Sequence, residues 1–177
     1  MKGNIFIHLL MLICGSLCHL SVQAQLSLHD VRVDSNISGF HFTMQVEDTR
    51  VYTPNGQADI GKVKNPSAFS LTILEHVDYE DAKEKVEELM EVSAVQDGLT
   101  QDQIVRKDTV LNGNRAYTVS MRETQKGSLY YSLVFYGVIL HGHEAVLFVS
   151  GDFEKGKHID KFRKTFYALK IKTKSGG

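Results

Sequence analysis

Residues 129–140 constrain this chain more than any other stretch, because they are apolar on both of the sides that a strand presents. Leu129, Tyr131, Leu133 and Phe135 fall on one side, and Val134, Tyr136 and Val138 on the other. Successive side chains of a strand point to opposite faces, so such a strand belongs in the middle of a sheet covered on both faces. The cover is also readable. Tyr79, Ala82, Val86, Leu89 and Ser93 step by three and four, with Glu80, Lys83, Glu84, Glu87 and Glu88 around the rest of the wheel. Asp78 fits the N-cap, and Asp81 stands three residues on. A second one-sided helix carries Ile159, Phe162, Phe166 and Leu169 on its stripe and Asp160, Lys161, Arg163 and Lys164 outside it.

The remaining pattern is β. Asn112-Gly113 supplies the positive-φ pair of a tight hairpin, and Tyr117, Val119 and Met121 alternate with Thr118, Ser120 and Arg122 on the return strand. Residues 141–144 read as the next turn and 145–150 as a further strand. Earlier, residues 39–44 and 68–74 read as strands. Between them, Pro54, Pro66 and Asn55-Gly56 mark a long excursion with room for a short hairpin. The expected fold is therefore α+β: a three-layer α/β/α sandwich, mainly antiparallel, with helices on both faces of the sheet.

The N-terminus reads as a secretory signal. A basic start at Lys2 leads into an apolar run over residues 5–20 and then Val22-Gln23-Ala24, a small-x-small cleavage pattern before Gln25. The run is short for a membrane span. A retained lipid anchor fits less well, since Ile13 precedes Cys14 and Leu17 precedes Cys18 where a small residue is wanted. The expected organisation is signal peptide 1–24, extension 25–36, a single domain 37–172 and a tail 173–177. Cleavage would remove both cysteines and with them any disulfide, thiolate nucleophile or cysteine-bound metal. It would leave 19 basic against 21 acidic residues, with no basic field for nucleic acid and no polybasic cluster for anionic lipid. Exported, periplasmic or secreted, is the location this implies.

The order of elements, together with Gly39-Phe40-His41-Phe42, the stretch VLNGNRAY at 110–117, Tyr130-Tyr131 with the run that follows, and Phe162-Arg163-Lys164-Thr165-Phe166, resembles the PsbP/DcrB-like α/β/α sandwich group of small exported or lumenal proteins. The likeness spans residues 37–172 and rests on hydrophobic pattern. The chain departs from it in having no tryptophan. The resemblance implies an accessory, scaffold or binding role and brings no catalytic residue set.

Several clusters invite chemistry. His141, His143 and Glu144 have the composition of a metal site: with extended backbone the two imidazoles would share one side, and His41, His76 or His158 would have to complete the set. One His-x-His pair supplies only two ligands, and a solvated hairpin tip whose glycine makes the turn is the preferred reading. Ser150-Gly151-Asp152 places a hydroxyl near a carboxylate without a nucleophile elbow, and a strand ending in a turn accounts for it. Glu84, Glu87, Glu88 and Glu91 read as a solvated helix face, and Tyr130, Tyr131 and Tyr136 as core residues with hydroxyls at the rim. Asn36-Ile37-Ser38 fits the glycosylation pattern.

The function expected is that of an exported, non-catalytic binding or accessory protein of the cell envelope, with an unidentified envelope protein or small ligand as partner and no cofactor. Its interaction surface is expected on residues 50–64, with Arg50, Tyr52, Asn55, Asp59 and Lys62 as the contact residues. The alternatives are a small-ligand or metal-binding protein, or a metal-dependent hydrolase using the His141/His143 turn with a divalent transition metal.

Overall fold

The computed structural model describes residues 26–62, 66–121 and 133–172. The signal and cleavage readings with Cys14 and Cys18, and the readings placed on Lys64, Arg122, Leu129, Tyr130, Tyr131 and the tail, lie outside the described residues. The elements are β1 (Val31–Arg32), α1 (Ser35–Ser38), β2 (His41–Val46), β3 (Thr49–Thr53), β4 (Ala68–Glu75), α2 (Tyr79–Asp97), β5 (Ile104–Leu111), β6 (Asn114–Met121), β7 (Leu133–His141), β8 (Glu144–Asp152), α3 (Ile159–Tyr167) and β9 (Lys170–Ile171). Seven strands form one antiparallel sheet in the order β2-β3-β4-β8-β7-β6-β5, and β1 pairs with β9. The chain is thus α+β, built on a large antiparallel sheet with, among the described residues, three α-helices.

The two-sided run, in its described part, is β7, an interior strand next to the central one. β8 is buried along its whole length, between β4 and β7. Its alternate residues enter two hydrophobic clusters. Val146 and Phe148 join Phe69, Leu71, Phe135 and Ile139 around Phe162 and Phe166 of α3. Ala145, Leu147 and Val149 join Val134, Tyr136 and Val138 around Ala82, Val86 and Met90 of α2. Both α3 phenylalanines are fully buried, and each such burial is worth about 1.5–3 kcal/mol.

Local chemistry sets the element ends. The Asp78 carboxylate accepts from the Glu80 and Asp81 main-chain N–H groups, and Asp81 accepts in return from the Asp78 N–H, a complete capping box worth about 1 kcal/mol. Asn112 and Gly113 have φ of 52° and 82°, as the β5–β6 turn needs.

The excursion over residues 47–67 differs from the sequence expectation. It contains β3, a five-residue strand between β2 and β4, before a single-turn 3₁₀ helix at Gly56–Asp59. Pro54, directly after Thr53, makes this strand too short to stand out from its loop. Residues 26–31, read from the sequence as an extension, put Leu26, Leu28 and Val31 into the α3 cluster. Among the described residues no helix is long and apolar enough to cross a membrane.

Candidate functional site

The five residues expected from the sequence lie together, on β3 and the turn that follows, but most of them are taken up by contacts within the fold. Arg50 donates through Nε to Gln45 (3.0 Å) and through Nη1 to the Leu28 carbonyl (2.8 Å), and its Nη2 lies 3.0 Å from His29 Nδ1. Tyr52 is buried, its ring stacked 4.7 Å from Phe69. The Asp59 carboxylate receives the Asn55 main-chain N–H and side-chain amide, both at 2.9 Å. Burial alone would raise the Asp59 carboxyl, but those hydrogen bonds, with Thr53 and the charge of Lys62, outweigh it and hold it below the usual carboxylate range. Lys62 is exposed. The loop is a self-satisfied turn in which one of the five side chains is left wholly to solvent.

What that turn leaves open is the neighbouring sheet edge. β2 is the outermost strand, and an edge strand keeps half of its main-chain donors and acceptors unpaired by the sheet. Phe42, Met44 and Val46 are 45%, 37% and 41% exposed on it, and Ile60 of the turn is 51% exposed. A bulge between Phe42 and Met44 pairs Phe42 with Tyr52 and Met44 with Val51, so apolar side chains stand on both sides of the edge. β2 carries no charged side chain. The other edge, β5, is built differently: it presents Arg106, Lys107 and Asp108, and two of these are tied to α2.

That tie is a polar network the sequence reading missed. Glu87, grouped there with a solvated face, accepts from the Tyr117 hydroxyl and from Arg106 Nε (2.9 Å), because its position beside Val86 leans it over β5 and β6. The Tyr79 hydroxyl donates to Asp108, Arg115 lies 3.5 Å over the Tyr79 ring, and Lys83 sits 3.7 Å from Asp108. Burial, with Asp108 adding to it, pushes the Tyr79 hydroxyl up to about 12; burial and then Glu87 raise Tyr117. Tyr136, also expected with its hydroxyl at the rim, is instead buried to its tip against Ser93 (2.7 Å), and burial moves it to about 12.

These shifts predict alkaline lability. A tyrosine in the unfolded chain ionises near pH 10 (roughly). The folded-state values are higher, so the stabilisation is full below the unfolded value and is lost as pH rises through about 12. The melting temperature is expected to fall steeply across that window, and less steeply for Tyr136→Phe. Equal slopes for variant and wild type would contradict the assignment.

The remaining candidates are absorbed by the fold. Gly142, with φ of 67°, and His143 form a two-residue turn between His141 and Glu144, so the two imidazoles do not share one side of an extended strand. His141 Nδ1 lies 3.2 Å from Asn114 Oδ1, His143 is exposed, and the Glu144 carboxylate accepts the Leu26 N–H at 2.7 Å. Among the described residues no group of three or more His, Cys, Asp or Glu is placed to hold a metal. Ser150 Oγ donates to the Phe135 carbonyl at 2.7 Å and is fully buried.

No family model matches the chain. No curated protein matches it either. Among solved structures it is similar to cyanobacterial PsbP (CyanoP) from Synechocystis sp. PCC 6803, at 12% identity and a TM-score of 0.46, over 88% of this chain and 99% of that one. A PsbP thus stands among the structures this chain resembles. It is also similar to the Ran-binding protein Mog1p of Saccharomyces cerevisiae (13% identity, TM-score 0.43, 75% and 86% covered). A Bacteroides thetaiotaomicron protein is a further match (8% identity, TM-score 0.42, 77% and 43% covered). At these values the likeness assigns neither a site nor a partner.

Two further features had no sequence signal. His158 is buried with neither ring nitrogen hydrogen-bonded, its Nε2 3.3 Å from Glu154 and its ring edge-on to Phe40. Asp152, fully buried, accepts from Ser67 Oγ and from the main-chain N–H groups of Glu154 and His158. Partners so far apart in sequence meet only through the β4–β8 pairing.

Proposed function

We propose that this chain is an exported, non-catalytic binding or accessory protein of the cell envelope that holds a partner chain along the β2 edge. The observation that carries this reading is the contrast between the two edges: on β5 the exposed Val105 and Val110 stand beside charged residues tied to α2, whereas β2 is uncharged and exposes Phe42, Met44 and Val46. An added strand would gain main-chain hydrogen bonds from the edge and apolar contacts from both of its sides. The division of strand side chains between an α2 cluster and an α3 cluster supports a three-layer α/β/α arrangement, which would leave the sheet edges as the accessible backbone. The signal-like N-terminus supports export.

A photo-crosslinking side chain at Met44, with a second variant carrying it at Lys107, tests the edge. A discrete adduct from position 44 and none from position 107 is the expected result. Met44→Lys with Val46→Lys should abolish the adduct formed from position 42 while leaving the melting temperature nearly unchanged. Equal labelling from both edges would overturn the reading.

A further inference from the structure

A net charge of −1 conceals a strong separation of charge. The α2 helix carries seven acidic and two basic residues, a net of −5, while residues 154–172 carry seven basic and two acidic, a net of +5. The two segments pack on alternate residues of the same strands, so the sheet lies between them. Internal ion pairs such as Lys85–Glu88 and Arg163–Asp160 neutralise part of each side. Among the described residues, Glu84 and Glu91 on one side and Lys161 and Lys164 on the other are exposed and make no ion pair.

Each side also has a shape. Between α1 and the end of α3 lies an open groove of about 470 Å³, floored by Ile37, Tyr167 and Ala168 and rimmed by Arg163, Lys164 and Asp160. Ile37 is 43% exposed there, and Lys107 Nζ lies 5.5 Å over the Tyr167 ring. On the acidic side, Val92 and Val95 stand 43% and 83% exposed. They are three residues apart on one helical face, with Glu88 and Glu91 one turn before them. Valine is a poor helix former, and an exposed pair of them adds nothing to α2 itself.

We propose that the molecule associates head to tail with a second copy of itself. The Val92/Val95 end of α2, flanked by Glu88 and Glu91, seats in the Ile37–Tyr167 groove of the next molecule, against Arg163 and Lys164. Apolar side chains meet an apolar floor and acidic flanks meet a basic rim. Because the two surfaces are different and lie on opposite sides of the sheet, the contact is heterologous and propagates into strings. It is steered by charge, so it weakens as salt shortens the range of the field.

Sedimentation of residues 25–177 at high protein concentration, in about 0.01 M and about 1 M salt, tests this, since the screening length falls from about 30 to about 3 Å between them. Species of dimer mass and above are expected at low salt and their loss at high salt. Arg163→Glu with Lys164→Glu should sediment as a monomer, and so should Glu88→Lys with Glu91→Lys, each with unchanged circular dichroism. An equimolar mixture of the two variants restores opposite charges across the contact and should associate. A wild-type monomer at both salts overturns the proposal, as does unchanged association of either variant. A mixture that stays monomeric although both variants are folded overturns it too.

Discussion

Replacing Gly137 with alanine is expected to lower stability by about 3 kcal/mol, at the upper end of what overpacking a core costs. Gly137 lies mid-strand in β7, where glycine ordinarily weakens a sheet. A Cβ built there would sit 2.6 Å from Cε2 and 2.8 Å from Cζ of Phe166. The ring has nowhere to go: it is fully buried and meets Phe135 at 5.5 Å, Phe148 at 5.7 Å and Tyr167 at 5.5 Å. The missing side chain is thus the seat of α3 on the sheet. Phe166→Ala alone should cost about 3–5 kcal/mol through the cavity it leaves. The double variant should be no less stable than Phe166→Ala, because the methyl group then enters space already vacated. Urea unfolding of the four proteins reads the coupling, and additive costs would show that Gly137 is not there for Phe166.

Asp152→Ala is expected to cost about 4 kcal/mol. The loss strands the His158 N–H and the Ser67 hydroxyl in the interior and unpairs the half-buried Glu154 N–H, at about 1–3 kcal/mol for each buried unsatisfied group before relaxation. Ser67 is itself part of the knot, its Oγ accepting the Phe153 N–H at 3.1 Å. Asp152→Asn keeps one acceptor oxygen and should recover a good part of the loss. Amide exchange should rise first at residues 153–158, then at the start of α3, where His158 is pinned by its own N–H. A loss under about 1 kcal/mol in the alanine variant would mean that water replaces the carboxylate.

The elements that could be read from the sequence are those whose signals are local. The box of Asp78 and Asp81, the stripe of Phe162 and Phe166, and the Asn112-Gly113 turn each need only a few neighbouring residues. β3 was not legible, since five residues before a proline look like any other part of a polar loop. β1 and β9 are two residues each and exist only because the ends of the domain meet, with the Lys172 N–H bonded to the Asp30 carbonyl. The site suffered from the same limit. Arg50, Asn55 and Asp59 were chosen as loop polars, and loop polars are read as outward; here Arg50 reaches the Leu28 carbonyl and Asn55 closes on Asp59. Phe42 and Met44 read from the sequence as ordinary strand apolars, and Val46 lies beyond the strand expected at 39–44. Their exposure follows from β2 being outermost, which is a matter of strand order and not of composition.

The pairing of β4 with β8, from Ala68–Gly151 to Glu75–Glu144, bears on when the protein can exist at all. Every other neighbouring pair in the seven-stranded sheet joins strands consecutive in the chain. Two preassembled pieces, β2-β3-β4 and β5-β6-β7-β8, can therefore form early, but neither has its core until one seam closes between them. That seam joins residues 68–75 to residues 144–151 across all of α2, β5, β6 and β7, and closure of so long a loop is slow. A nascent chain of this kind stays open until β8 has been made and has found β4. On the proposed export route, that delay would keep the chain extended enough to pass a membrane pore.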